Sequence, residues 1–324
     1  MTTRRSLLAA SIPLALAAPL AACGDDGGGG SGGAKARIAV LGPGSLQWLH
    51  AIAKDRGFYE DAGVEVEDIQ VQNSSSLVQA VASGSADAGI ALGDNVINAV
   101  DEGAPIVITG TLLQKAALRL YGAPGVEAIT DLEGAQVTAG AVEGGTYELL
   151  VYMLQEAGVD PASLTPVAIA NSSDRVVAME NEQVQGALLI PPFDTVAEEA
   201  GATMLGWYDR YWLETPLIVN RPWAEEHEEA ATALNRGLAE GAKFFADAAN
   251  EDESVRVLQE YSGVDEPAAR AAFEFIHTNA IFSPDLSTNE EGLVNIAEIS
   301  NAVSGKDISD FDPAAYIDAS YLEG

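Results

Sequence analysis

From Arg37 onward the chain alternates short, nearly unbroken apolar runs with longer stretches whose apolar residues recur at helical spacing. Ile38 to Leu41, Val64 to Val71, Ala88 to Leu92 and Ile106 to Thr109 read as strands, and outside Val64 to Val71 their lack of polar alternation suits strands covered on both faces. Gln47 to Arg56, Leu77 to Ser83 and Val96 to Glu102 read as the helices between them, giving a β-α-β-α order. A second pass follows, with strands at Gln136 to Gly140, Leu164 to Ile169 and Gly186 to Ile190 and helices at Tyr147 to Glu156 and Arg175 to Asn181.

The passes align without a gap. An offset of 98 carries Asn73-Ser74-Ser75 onto Asn171-Ser172-Ser173, Val78 and Ala80 onto Val176 and Ala178, Ile90-Ala91-Leu92 onto Leu188-Leu189-Ile190, and Gly103-Ala104 onto Gly201-Ala202. Such self-similarity marks an internal repeat. Met204 to Tyr208 and Leu217 to Asn220 add two more strands, and then the chain turns helical: Ala224 to Ala249, Glu253 to Ser262, Ala268 to His277 and Glu291 to Val303. Helices without alternating strands cannot build a third sheet, so they are expected to pack on the first lobe and close it.

The expected fold is therefore α/β and two-lobed, each lobe a mostly parallel sheet flanked by helices, with two crossovers near 110 to 122 and 208 to 220 acting as a hinge. The expected boundaries are 1–22 for a leader, 23–35 for a tether, 36–115 for the first part of lobe I, 116–212 for lobe II, and 213–324 for the rest of lobe I with the C-terminal helices.

The start of the chain changes the picture. Arg4 and Arg5 precede an apolar run from Leu7 to Leu20, and Leu20-Ala21-Ala22-Cys23 then places the chain's one cysteine after small residues. This reads as a lipoprotein signal: the basic end stays inside, the apolar run is too short to span stably, and Cys23 becomes the lipidated N-terminus. Arg4-Arg5-Ser6-Leu7-Leu8 also resembles a twin-arginine signal lacking its usual aromatic residue, so both export routes stay open. Gly24 to Gly33 offers no apolar side chain to bury and reads as a flexible tether. A solitary cysteine leaves no intrachain disulfide.

Charge narrows the partners. The formal net charge of −33 argues against nucleic acid and against docking on anionic lipid through a basic surface. The acyl chains must then hold the body at the membrane, and one chain binds only marginally, so a diacylated anchor is expected. The expected location is extracytoplasmic, lipid-anchored at the cell membrane, as a monomer.

In open α/β sheets ligands sit beyond the C-terminal strand ends, at helix N-termini. The loops at those positions are rich in uncharged donors: Gly42-Pro43-Gly44-Ser45, Gln72-Asn73-Ser74-Ser75, Gly93-Asp94-Asn95 and Gly110-Thr111 in the first pass, and Glu143-Gly144-Gly145-Thr146 and Asn171-Ser172-Ser173-Asp174 in the second. Ordinary helix capping explains any one of these; several facing one cleft point to binding. Aromatic residues fall nearby: Trp48, Tyr147, Phe193, Trp207, Tyr208, Tyr211 and Trp212 could sandwich a flat ligand. The candidate contacts are Gly44, Ser45, Trp48, Asn73, Ser74, Ser75, Asp94, Asn95, Thr111, Gly145, Thr146, Tyr147, Asn171, Ser172, Phe193 and Trp212. Arg119 and Arg175 are the basic residues closest to these loops, and surface ion pairs are their expected role.

Enzyme signatures fail. The chain has no G-x-x-x-x-G-K-[ST] and no G-x-S-x-G, and His50, His227 and His277 are too scattered for a metal site. Gly28-x-Gly30-x-x-Gly33 fits a dinucleotide pattern, but no strand precedes it. The acidic run Glu225 to Glu229 reads as a solvated helix face. No catalytic residue, metal or cofactor is expected.

Four segments resemble the extracytoplasmic binding proteins of ABC importers for nitrate, sulfonates, taurine and thiamine pyrimidine precursors: Gly57-Phe58-Tyr59-Glu60-Asp61-Ala62-Gly63-Val64-Glu65-Val66, Ala82-Ser83-Gly84-Ser85-Ala86-Asp87-Ala88-Gly89, Asp131-Leu132-Glu133-Gly134-Ala135-Gln136-Val137 and Glu156-Ala157-Gly158-Val159-Asp160-Pro161. The resemblance spans nearly the whole body after the tether. It implies the class II periplasmic-binding-protein fold, closure on a small organic solute such as a thiamine-type pyrimidine or a sulfonate, and handover to a permease and its ATPase. In that family an acidic strand end and a Pro-aromatic pair accompany the last strand of the second lobe; Gln185 replaces the acid here, and Pro192-Phe193 keeps the pair. A related eukaryotic enzyme of this fold makes the thiamine pyrimidine through a cysteine-rich motif, which this chain lacks. Two other outputs stay open from sequence: a ligand sensor for a membrane receptor, and an extracytoplasmic enzyme on the same fold.

Overall fold

The structure is a computed structural model describing residues 34–142 and 144–322. The expected leader, Cys23 and most of the expected tether lie outside them. Among the described residues no helix is long and apolar enough to cross a membrane.

The first pass forms β1 (Ala34–Val40), α1 (Trp48–Asp55), α2 (Phe58–Ala62), β2 (Val64–Gln70), α3 (Ser74–Ala82), β3 (Ala88–Ile90), α4 (Gly93–Asp101) and β4 (Ile106–Lys115). The chain then leaves this sheet as β5 (Arg119–Gly122) and builds β6 (Gln136–Thr138), α5 (Gly145–Glu156), β7 (Thr165–Pro166), α6 (Ser172–Glu180), β8 (Gly186–Leu189), α7 (Phe193–Glu199) and β9 (Thr203–Trp207). It returns as β10 (Tyr211–Asn220) and ends in α8 (Arg221–Glu226), α9 (Glu228–Ala246), α10 (Glu251–Ser262), α11 (Glu266–Thr278) and α12 (Glu290–Ser304).

Two five-stranded sheets result, ordered β2-β1-β3-β10-β4 and β7-β6-β8-β5-β9. One order becomes the other when β1 to β4 are replaced by β6 to β9 and β10 by β5. Each sheet is parallel but for the strand lent by the other half, β10 or β5, which pairs antiparallel on both sides. The chain therefore crosses between sheets at residues 116–118 and 208–210.

Several elements depart from the reading of hydrophobic runs. β4 and β10 are longer than expected because they carry the chain to and from the other sheet as one ladder. The run Leu164 to Ile169 shrinks to a ladder at Thr165 and Pro166, because proline has no N–H to donate and is confined to a sheet edge. α2 is one turn bracketed by Gly57 and Gly63, both at positive φ, and is too short to show a period. The acidic run at Glu225 to Glu229 is not one helix face but the break between α8 and α9, where His227 stacks on Trp223.

The C-terminal helices cover lobe I, as α9 packs on α1, α2 and β1 and α10 on α1. They also reach the other lobe, since α12 touches α5 and α11 touches α7. The outer core of lobe I is aromatic: Phe245 meets Trp48, Phe273 and Phe282 edge-on, with ring centres 5.0, 5.0 and 4.8 Å away.

Candidate functional site

The repeat places the same device in each lobe. Ser74, at the start of α3, accepts the Leu92 N–H at 3.0 Å, and Ser172, at the start of α6, accepts the Ile190 N–H at 3.2 Å. Both serines tie a helix start to the end of the neighbouring strand, so the loops after β2 and β3 are held beside each other, as are those after β7 and β8. Gln185 likewise stands in for the acid of lobe I: Asp87 accepts the Arg37 N–H at 2.8 Å, and Gln185 Oε1 accepts the Gln136 N–H at 3.0 Å. An amide oxygen serves this strand end as well as a carboxylate.

Between the lobes these loops enclose a cleft of about 430 Å³. Nine sequence-predicted residues line it: Asn73, Ser74, Ser75, Asp94 and Asn95 from lobe I, and Thr146, Tyr147, Asn171 and Ser172 from lobe II. Leu41, Leu46, Leu92, Leu118 and Ile190 add apolar wall.

Two hydrogen bonds span the cleft in a pseudo-symmetric pair. The Ser45 N–H donates to Pro191 O at 3.0 Å, and the Gly145 N–H donates to Asp94 Oδ2 at 2.7 Å. Each comes from the first turn of the helix that follows the lobe's leading strand. Gly44 (φ 138°) and Gly144 (φ 135°) cap those turns in a conformation that L side chains rarely adopt. A side chain at Gly44 would meet Ile190 and Phe193, and one at Gly145 would collide with Asp94. Two helix starts that pattern reading offers to a ligand are thus turned on the opposite lobe.

The remaining predicted residues sit elsewhere. Trp48 lies in the core of lobe I, its indole N–H donating to Ser254 O at 3.1 Å. Thr111 is buried against Thr288 at 2.8 Å. Phe193 and Trp212 are also buried; Trp212 packs edge-on against Tyr208, and Trp207 donates to Ala116 O at 2.8 Å. Of the seven aromatic candidates only Tyr147 lines the cleft, so no aromatic sandwich forms among the described residues.

Burial overturns the expectation of surface ion pairs for the two arginines. Arg175 is 5% exposed and lines the cleft; its Nε donates to Ile169 O at 2.9 Å, and its terminal nitrogens donate to Leu188 O and Ala170 O, both at 2.7 Å. Burial lowers its pKa to about 10, Glu214 opposing the shift. Arg119 pairs with the fully buried Asp194 and lies 4.0 Å over the ring of Phe275, so a lobe II guanidinium is seated on a lobe I helix.

Sequence reading missed Glu214. It sits in β10, is 1% exposed, lines the cleft, and its Oε2 accepts no hydrogen bond. Burial pushes its pKa up to about 8, with Asp94 adding to the rise and Arg175 opposing it. Asp94 is raised too, chiefly by burial, while the Gly145 N–H holds it down. The one signal available in sequence was an acidic residue inside the run Trp212 to Asn220, too weak to separate from a strand edge.

A family model described as NMT1/THI5 like matches residues 50–251. The chain belongs to the NMT1/THI5-like family. A protein from Bordetella bronchiseptica RB50 has a similar structure, with TM-score 0.78 and 20% identity over 90% of this chain and 96% of that one. The ligand binding component of an ABC-type import system from Staphylococcus aureus, solved with zinc bound, follows at TM-score 0.73 and 14% identity, over 90% of this chain and 98% of that one. The periplasmic aliphatic sulphonate binding protein SsuA from Escherichia coli gives TM-score 0.69 and 16% identity, over 87% and 91%. At such identities the likeness establishes the periplasmic-binding-protein fold. No curated protein sequence matches significantly.

Proposed function

We propose that this NMT1/THI5-like chain is the extracytoplasmic solute-binding lipoprotein of an ABC importer: it closes two lobes on a small organic solute and presents it to a permease with its ATPase. The observation that carries the reading is the enclosed cleft whose two walls are tied to each other by the bonds Ser45 to Pro191 and Gly145 to Asp94. Groups that bond across an opening hold a closed form, and such a form is useful where a ligand is to be trapped. The crossings at 116–118 and 208–210 serve as the hinge between 36–115 with 213–324 and 116–212.

Asn73, Asn95, Thr146, Tyr147 and Asn171 supply hydrogen bonds and one ring to the solute, the leucines its apolar contact. A sulfonate is the solute for which the similar SsuA from Escherichia coli is named, and a thiamine-type pyrimidine is the second chemistry we weigh for this cleft. The chain holds its solute unchanged, and Cys23 holds the chain at the membrane.

Native mass spectrometry of the full chain purified from its host membrane tests both halves. A co-purifying small molecule, with Cys23→Ser released from the membrane fraction, is the expected result. A chain always empty and unshifted in melting by a solute panel overturns the reading.

A further inference from the structure

Because the lobes follow one plan, a buried charge present in one and missing from the other is not required by the plan. Leu217 pairs with Ile90 in the first sheet and Leu120 with Leu188 in the second, and counting three positions back along the chain matches Glu214 of β10 to Ala117, in the crossing just before β5. Ala117 is fully buried and apolar, so the second lobe buries no carboxylate at the position that counting along the chain matches to Glu214.

A carboxylate buried with an unused oxygen is costly. Glu214 carries that cost at the wall of the cleft. Arg175 does not answer it: that side chain is committed to the carbonyls of Ile169, Ala170 and Leu188. Among the described residues Arg175 is also the single basic side chain of the lining, which contains no lysine or histidine but a second carboxylate, Asp94. Acidic groups therefore outnumber basic ones in the lining, and Glu214 can become an anion only beside a cationic partner, which an inorganic anion or a sulfonate does not supply.

Resting on the solute-binding reading above, we propose that Glu214 is the recognition group for a solute that brings a cation or a paired N–H donor, amidine-like or amine-like, into the cleft. The donor completes the open valence of Glu214 Oε2, and Asp94 adds to the attraction while its own oxygen stays on Gly145. Glu214 holds its proton in the empty protein at pH 6.5, so engagement with a cation expels that proton.

The test is calorimetric titration of the detergent-solubilised full chain with benzamidine and cytosine in one arm and methanesulfonate and nitrate in the other. The expected result is saturable binding of the first arm, release of a proton at pH 6.5 read from two buffers of different ionisation heat with benzamidine, and at least a tenfold weaker affinity in Glu214→Gln. Glu214→Ala, which installs the lobe II residue, provides the same reading should the glutamine variant fold poorly. Binding of methanesulfonate or nitrate alone, or unchanged affinity in both variants, overturns the assignment of Glu214 while leaving solute capture standing. Failure of both arms overturns the assignment and counts against solute capture as well.

Discussion

Lobe I and lobe II share a strand order, a serine that ties helix to strand, and a first-turn N–H that reaches across the cleft. They differ where charge is buried. At the repeat offset of 98, Leu77 of lobe I corresponds to Arg175 of lobe II; Leu77 is a fully buried core residue, whereas Arg175 occupies its site by satisfying three carbonyls. Glu214 and Ala117 differ in the reverse sense. The scaffold is thus symmetric and the cleft is not. A duplicated fold supplies two similar walls, and costly polar substitutions in the lining then make them dissimilar.

Importing the lobe I solution into lobe II is the harshest way to break this comparison. Arg175→Leu orphans the buried carbonyl of Leu188 and removes the partner of the part-buried carbonyls of Ile169 and Ala170, and a loss of roughly 2–3 kcal/mol is expected. Denaturant unfolding measures it; a loss below about 1 kcal/mol would mean that lobe II tolerates an apolar residue as lobe I does.

Glu214→Gln runs the other way. The folded protein holds this carboxyl at a pKa of about 8 against 4.5 for the unperturbed group, so the stability it lends is complete below 4.5 and is lost as pH rises through 8. The glutamine variant avoids that loss. It is expected to gain on the parent between pH 5 and 8, by up to about 5 kcal/mol, and the gain is constant above that window. Parallel melting curves across the range would sink the assignment of a buried, raised carboxyl.

The smallest effect separates the two asparagines of the repeat. Asn73 Oδ1 accepts the Ser76 N–H at 2.9 Å and caps α3, while Asn171 makes no such cap and instead donates to Asp174 at 3.3 Å. Asn73→Ala is expected to cost about 1 kcal/mol, and Asn171→Ala less than half as much while weakening solute binding more. Equal stability losses, read by thermal melting, would restore symmetry between these loops.

Much of the fold was legible in the residues. Apolar runs of four to eight residues, separated by helical periods, can be buried only as strands between helix layers, and the offset of 98 announced two of them. The extra strand in each sheet was not legible. β5 is four residues long, and β10 earns its length from a partner about a hundred residues away in the chain. Of the site, sequence reading found the uncharged loop residues, because glycine, serine, threonine and asparagine at strand ends are local signals. It did not find that Trp48, Thr111, Phe193 and Trp212 are buried outside the cleft lining, since where a side chain packs depends on partners distant in the chain.

What the sequence alone determined is the class of fold, its duplication, and the loops that meet at the strand ends, because each follows from short-range periodicity and turn chemistry. Tertiary structure decided which of those loops face one another, that two helix starts are used on the opposite lobe, and that Glu214 and Arg175 share one cleft although 39 positions separate them. Burial and electrostatic coupling between distant residues arise only once the chain has crossed between its sheets and brought their walls together.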